Sequence, residues 1–227
     1  MYKFNTFVNE LSKDTPIKVA YKDESKFMKL LGTLLFFNKG FMDIFITTIG
    51  NTVYYPNRKW IMDHEIDAIL VLAHEYEHIK DNQRLGKILY PLMYLFPQCL
   101  GLLSLLAVLA FITPYAWFFL LFLLCFAPIP SPGRKYIELR GYKMSLYIYN
   151  LYLKHHGFLS DERKERLMNM CDSFDMYFTG GSYYFMWPFG VKDELKSFTR
   201  NLVNERIKES ETCVNVGKAF HKCLKEA

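Results

Sequence analysis

Residues 88–133 read ILYPLMYLFPQCLGLLSLLAVLAFITPYAWFFLLFLLCFAPIPSPG, without one Asp, Glu, Lys, Arg or His. A domain of 227 residues has too little interior to bury 46 uncharged residues in one run. The run divides at Thr113-Pro114. As α-helices, Ile88 to Ile112 would be roughly 37 Å long and Tyr115 to Pro130 roughly 24 Å. The first is long enough to span a bilayer. The second is short and needs flanking residues or local thinning. Pro91 and Pro97 predict kinks in the first arm. The expectation is a two-helix transmembrane hairpin that returns the chain to the side it left.

Working outward, Lys80, Arg84 and Lys87 precede the run, and Arg134, Lys135, Arg140 and Lys143 follow it. The connecting turn has no charge. The positive-inside rule then places both ends, both termini and everything attached to them in the cytoplasm. The chain is expected to divide into an N-terminal part (1–87), the hairpin (88–133) and a C-terminal part (134–227). The opening MYKFNTFVNELSKDTPIK mixes charge with polarity and lacks the apolar core of a secretory signal. Five cysteines without a CxxC pair read as reduced thiols. A net charge of +5 without a basic run argues against nucleic acid as a partner and suits a membrane surface.

Just upstream of the hairpin, residues 74–78 read His-Glu-Tyr-Glu-His. On an α-helix, positions i and i+4 share a face, so His74 and His78 can bind one metal ion. Glu75 is placed to accept a proton from water beside them. This is the HExxH arrangement of zinc proteases, implying one Zn²⁺ per chain. The helix is expected to start at Asp63, with Glu65 and Asp67 in its first turn. Ile66, Ile69, Leu70 and Ala73 form its core stripe. Asp67, Val71, His74, His78 and Asp81 form its metal face, with Asp67 or Asp81 available to orient a ligand histidine.

Upstream lie a helix from an Asp23 cap to about Phe37, then two strand-like runs, FMDIFITTI (41–49) and TVYY (52–55), around Gly50-Asn51. Downstream, a helix runs from Tyr136 to about His155, stopped by Gly157. A short helix capped by Ser160 follows, then an amphipathic helix from Asp193 to Ser210 and a helical tail from Thr212. The run SYYFMWPF (182–189) reads as packing or a membrane-interface contact.

A catalytic zinc usually has three protein ligands. The extension HExxHxxGxxH is absent, because Asp81 and Arg84 hold its Gly and His positions. A hairpin returns the chain close to where it left, and the first acidic residue after the return is Glu138. Glu138 is therefore the expected third ligand.

The order of strand pair, HExxH helix, membrane hairpin and Glu-bearing helix resembles the membrane-embedded gluzincins. That family includes the CAAX prenyl endopeptidase and the bacterial membrane quality-control zinc proteases. The resemblance runs from roughly Phe41 to Leu153. HEYEHI (74–79) matches the family's HExxH helix. ELRGY (138–142) matches its ExxxD-type motif in part, with Glu138 at the ligand position, Gly141 at a position usually small, and Tyr142 where the family has Asp. The resemblance implies an α+β membrane protein: a zincin-like core with a small β-hairpin or edge sheet, interrupted by the transmembrane hairpin. It also implies a zinc metalloendopeptidase acting on a peptide or membrane-protein substrate at the cytosolic face. An edge strand, TVYY or FITTI, would pair with extended substrate. Tyr142, His155, Tyr183 and Tyr184 are candidates to stabilise the oxyanion. The alternative is an inactive membrane-anchored interaction or regulatory protein with a vestigial metal site. An intramembrane protease is disfavoured because Lys80, Asp81 and Arg84 follow the motif at once.

Overall fold

The computed structural model describes residues 2–36, 40–180 and 186–225. In chain order these form α1 (Tyr2–Ser12), β1 (Lys18–Tyr21), α2 (Lys26–Leu34), β2 (Thr47–Ile49), β3 (Thr52–Tyr55), α3 (Arg58–Asp63) and α4 (Glu65–Leu95). Two 3₁₀ helices follow, Gln98–Phe111 and Pro114–Phe126, then α5 (Pro132–His155), α6 (Ser160–Thr179), α7 (Val191–Val203) and α8 (Glu211–Lys225). The protein is mostly helical, with one small sheet.

Gly50, at φ +59°, makes the turn that the Gly-Asn pair predicts. The strands it joins are shorter than expected on the first side, because residues 41–46 stay out of the sheet. The sheet order is β1-β3-β2. β2 pairs antiparallel with β3, Thr48 opposite Val53, while β1 pairs parallel on the other side, Val19 opposite Val53. The TVYY strand is therefore central, not an edge, and of the two candidates only β2, within FITTI, lies at an edge, the other edge being β1. Nothing in the spacing of Lys18–Tyr21 announced the third strand, since four residues carry too little alternation to read.

Local caps correct three other boundaries. Ser25, not Asp23, starts α2, its hydroxyl accepting from the Met28 amide at 3.2 Å. Asn57 caps a short helix that was not expected, accepting from the Trp60 amide at 2.8 Å. That helix consumes Asp63, so the HEYEH helix starts at Glu65 without a side-chain cap. Ser160 lies inside α6. Leu159 holds the cap position, and Glu162 accepts from its amide at 2.9 Å. Ser131 caps α5, followed by Pro132 at the first helical position, where no amide is needed.

The core lies between α4 and α5, closed by α1, α6, α7, α8 and the sheet. Ile69, Leu70, Leu72, Ala73 and Tyr76 of α4 and Leu139, Leu146 and Ile148 of α5 are buried in it. Met186 is buried at its edge, its carbonyl accepting from the Ser131 amide. Polar contacts fix the α4–α5 register. The Ser145 hydroxyl donates to the Leu70 carbonyl at 3.0 Å. Arg140 reaches across to two buried carboxylates, Glu77 (Nε at 3.1 Å) and Asp81 (Nη2 at 3.2 Å). Removing that guanidinium would leave both carboxylates uncompensated, typically a loss of about 3–5 kcal/mol.

α4 is broken at Gly86, whose φ of +83° is a left-handed value suited to glycine. α4 (Glu65–Leu95) and the first 3₁₀ helix (Gln98–Phe111) are bent 86° from each other. The expected single arm from Ile88 to Ile112 is thus divided, and among the described residues no single helix is long and apolar enough to cross a membrane. The two 3₁₀ helices lie along each other, with Leu105, Phe111, Trp117 and Phe118 among many exposed apolar side chains.

Lys22 holds the segment before β2. Fully buried, its ammonium donates to the carbonyls of Phe41 (2.6 Å) and Phe45 (2.8 Å) and sits 4.0 Å over the Phe41 ring. Burial outweighs the attraction of Glu75 and Asp43 and lowers its pKa to about 8. The native state therefore binds fewer protons than the unfolded chain between about pH 8 and the ordinary lysine value near 10.5, and this group's contribution to stability rises with pH across that window. In Lys22→Met both carbonyls lose their donor, a cost of about 1–3 kcal/mol. Denaturant midpoints of the two proteins, measured across that pH range in mild detergent, should diverge as pH rises. Parallel curves would refute the assignment.

Candidate metal centre

α4 and α5 supply all three donors. His74 and His78 project from one face of α4, their rings 4.5 Å apart and nearly perpendicular. Glu138 projects from the second turn of α5. Its Oε2 lies 3.1 Å from His74 Nε2 and 3.6 Å from His78 Nε2. All three residues are buried, and their donor atoms lie within 4.8 Å of one another. Two donors each about 2.1 Å from an ion at the tetrahedral angle sit roughly 3.4 Å apart. The observed separations bracket that value. Among the described residues neither ring nitrogen of buried His78 has a hydrogen-bond partner. A buried polar atom left unpaired is costly, and a cation among the three donors would satisfy one of them. The residues thus fit a metal ion, and two imidazoles with a carboxylate suit zinc among others.

Charge points the same way. Burial opposes protonation of His78, but the carboxylates of Glu138, Glu75 and Asp81 outweigh it and push its pKa up to about 9. Burial likewise raises the Glu138 carboxyl, yet the two histidines hold it well below the ordinary range. The pocket is built for a positive charge.

Gly141 explains how the helices come this close. A Cβ there would lie 2.7 Å from Cε1 and Nε2 of His74. Any larger residue would push the imidazole out of line. Tyr142 occupies the next position, its ring 4.6 Å from that of His74 at 72°. It is buried against Phe174 and Phe178, so it packs the ligand ring against the core side of α6.

Glu75, half-buried, lines a cavity of about 360 Å³ with His74, His78 and Glu138. One wall is Ile46, Thr47, Thr48 and Gly50, the edge strand and its approaches. Tyr90, Pro91, Tyr94 and Leu95, from beyond the break at Gly86, form another part of the lining. Tyr94 donates to Glu138 Oε1 at 2.5 Å, leaving Oε2 to the histidines. A second cavity of about 390 Å³, walled by Phe45, Ile46, Trp60, Tyr142, Phe174 and Tyr177 among others, opens on the other side of His74 and Glu75.

The remaining candidates fall elsewhere. Asp81 is buried one turn beyond His78 but engages Arg140, and burial raises its pKa despite that partner. Asp67 is exposed at the rim of the second cavity. His155 is exposed near the far end of α5, about 25 Å along the helix from Glu138, beside the His156 ring. Tyr183 and Tyr184 lie outside the described residues. Tyr94 was missed because an aromatic in an uncharged run reads as a lipid-facing residue. The glycine eight residues earlier was the available signal that the chain could turn back.

No family model, curated protein or solved structure matches the chain.

Two substitutions test this geometry. Gly141→Ala should weaken zinc binding while helical content by circular dichroism is retained, since the added methyl meets the ligand ring rather than the core. Tyr94→Phe removes the hydroxyl that orients Glu138 and should weaken zinc binding about tenfold to a hundredfold. Competition with a chromophoric chelator measures both, and wild-type affinity in both variants would mean these contacts do not support the site.

Proposed function

We propose that the protein is a zinc-dependent membrane endopeptidase, cleaving peptide or membrane-protein substrates at the cytosolic face. The observation that carries this reading is the convergence of His74, His78 and Glu138, with Glu75 beside them in a cleft walled by a sheet edge. The resemblance to the membrane-embedded gluzincins supports it through HEYEHI and Glu138.

Zinc held by His74, His78 and Glu138 would polarise a carbonyl and make water a nucleophile near neutral pH. Glu75 would accept the water proton and pass it to the leaving amine. β2 would hold extended substrate by adding it to the sheet as a further strand. Tyr94, whose hydroxyl donates to the carboxylate ligand, would fix that carboxylate's orientation.

The membrane placement rests on the exposed, uncharged 3₁₀ arms. At about 2.0 Å per residue, arms of 14 and 13 residues reach roughly 28 and 26 Å, close to the ~30 Å apolar thickness of a bilayer. They leave from Leu95, which lines the cleft, so the cleft would open at the membrane surface. One observation favours the alternative of an inactive, membrane-anchored interaction protein. The Nδ1 of His78 has no hydrogen-bond partner to orient the ring, as active zinc sites usually provide.

Three proteins decide between them. Wild type should carry one zinc and cleave peptides in a chelator-sensitive way. Glu75→Gln should keep zinc and lose about 10²- to 10⁴-fold in cleavage rate. Glu138→Gln should lose zinc. Stoichiometric zinc in wild type with no cleavage of any peptide in a diverse library would favour the inactive protein, and wild type without zinc would end both readings.

A further inference from the structure

α2 presents an apolar face to the outside. Its buried side is carried by Met28, and Gly32 packs so closely on Met42 that a Cβ there would lie 2.9 Å from the sulfur. On another side, Phe27, Leu30 and Leu34 share one face at helical spacing, and they are 55%, 60% and 64% exposed. Three large apolar side chains on so short a helix are expensive to leave in water. Exposed Lys26 borders them beside Leu30, exposed Lys29 lies further round the helix on the same flank, and no acidic residue occurs from Lys26 to Phe36. A short helix with an apolar face and a lysine-bearing flank has the composition of an interfacial membrane helix.

The helix is also placed where a bilayer could reach it. Through Met42 it rests on the segment that Lys22 clamps by the Phe41 and Phe45 carbonyls. That segment continues into Ile46 and β2, one wall of the cleft. The other wall ends at Leu95, where the 3₁₀ arms begin. Ile44, 68% exposed, extends the apolar surface from α2 toward the second cavity. Apolar surface therefore flanks the cleft on both sides.

We infer that the apolar face of α2 lies in the headgroup–acyl boundary of an anionic lipid leaflet, its lysines against lipid phosphates. The inference rests on the membrane reading of the 3₁₀ arms. Helix and arms together would hold the mouth of the cleft against the bilayer. Substrate would then be presented from a membrane-proximal segment rather than from free solution. The lysines and the absence of acidic residues within α2, which Asp23 and Glu24 precede, favour lipid over a protein partner, since apolar burial between proteins does not call for cations at its border.

Depth measurements on the full chain test this. Cys99, Cys125 and Cys213 are replaced by serine, leaving two buried cysteines, Cys171 and Cys223. An environment-sensitive fluorophore is then attached through Leu30→Cys, Phe111→Cys or Lys164→Cys, in nanodiscs of phosphatidylcholine and phosphatidylglycerol. Phe111 is 93% exposed on the first 3₁₀ arm, and Lys164 is exposed on α6 as an aqueous reference. The label at Leu30 should emit at shorter wavelength than that at Lys164, be quenched by nitroxide lipids and resist aqueous iodide, as should the label at Phe111. Adding Lys26→Glu and Lys29→Glu should shift the Leu30 label toward water. A Leu30 label that behaves like Lys164, while Phe111 is quenched by lipid, overturns the inference and leaves the arms in the membrane. If Phe111 also behaves as aqueous, the membrane reading fails and the inference with it. If the double lysine variant leaves the Leu30 label unchanged, the anionic-lipid component is wrong.

Discussion

Everything at the candidate centre depends on how closely α4 approaches α5. The three donors come from two helices separated by the 36 residues 96–131, and they meet because Gly141 has no side chain where His74 must lie. The contact is then locked by charge and hydrogen bonds. Arg140, two residues after Glu138, reaches Glu77 and Asp81, and Ser145 holds the Leu70 carbonyl. A slide of α5 by one turn would break these contacts together and move Glu138 about 5.4 Å from the histidines. The residues that hold the helices in register thus alternate along α5 with those that form the site.

A second constraint acts from above the site. The break at Gly86 turns the last part of α4 back over the cleft, so that Tyr94 reaches the carboxylate ligand. On the other side, Lys22 ties down the segment that leads to β2. The cleft is walled by two pieces of chain that owe their placement to a glycine and to a buried ammonium. Neither would be selected for packing alone.

Much of this was legible. HEYEH on a helix and the Gly-Asn turn follow from spacing and backbone preference, and Glu138 was a candidate because it is the first acidic residue after the apolar run, though its approach to both histidines is a tertiary contact. The helix starts were less legible, because Asp63 and Asp23 are good caps in isolation and lost to the neighbouring packing of α3 and to Ser25. The parallel strand Lys18–Tyr21 was invisible, since its pairing partner lies more than thirty residues away. Asp81 looked like a partner for a ligand histidine by helical spacing. Its actual partner comes from another helix, and only side-chain reach across the α4–α5 interface decides between them.

The amino-acid sequence by itself determined the donor types, their helical phase on α4 and the apolar run that returns the chain toward them. These depend on local periodicity and on residue chemistry, which a linear reading carries in full. Tertiary structure alone decided that Glu138 faces both imidazoles, that Tyr94 closes over it, that Arg140 claims Asp81, and that the apolar face of α2 points outward rather than into the core. Each of those is a contact between segments far apart in the chain, set by the distance at which two helices can pack, and that distance is fixed by glycine, charge and volume on both partners at once.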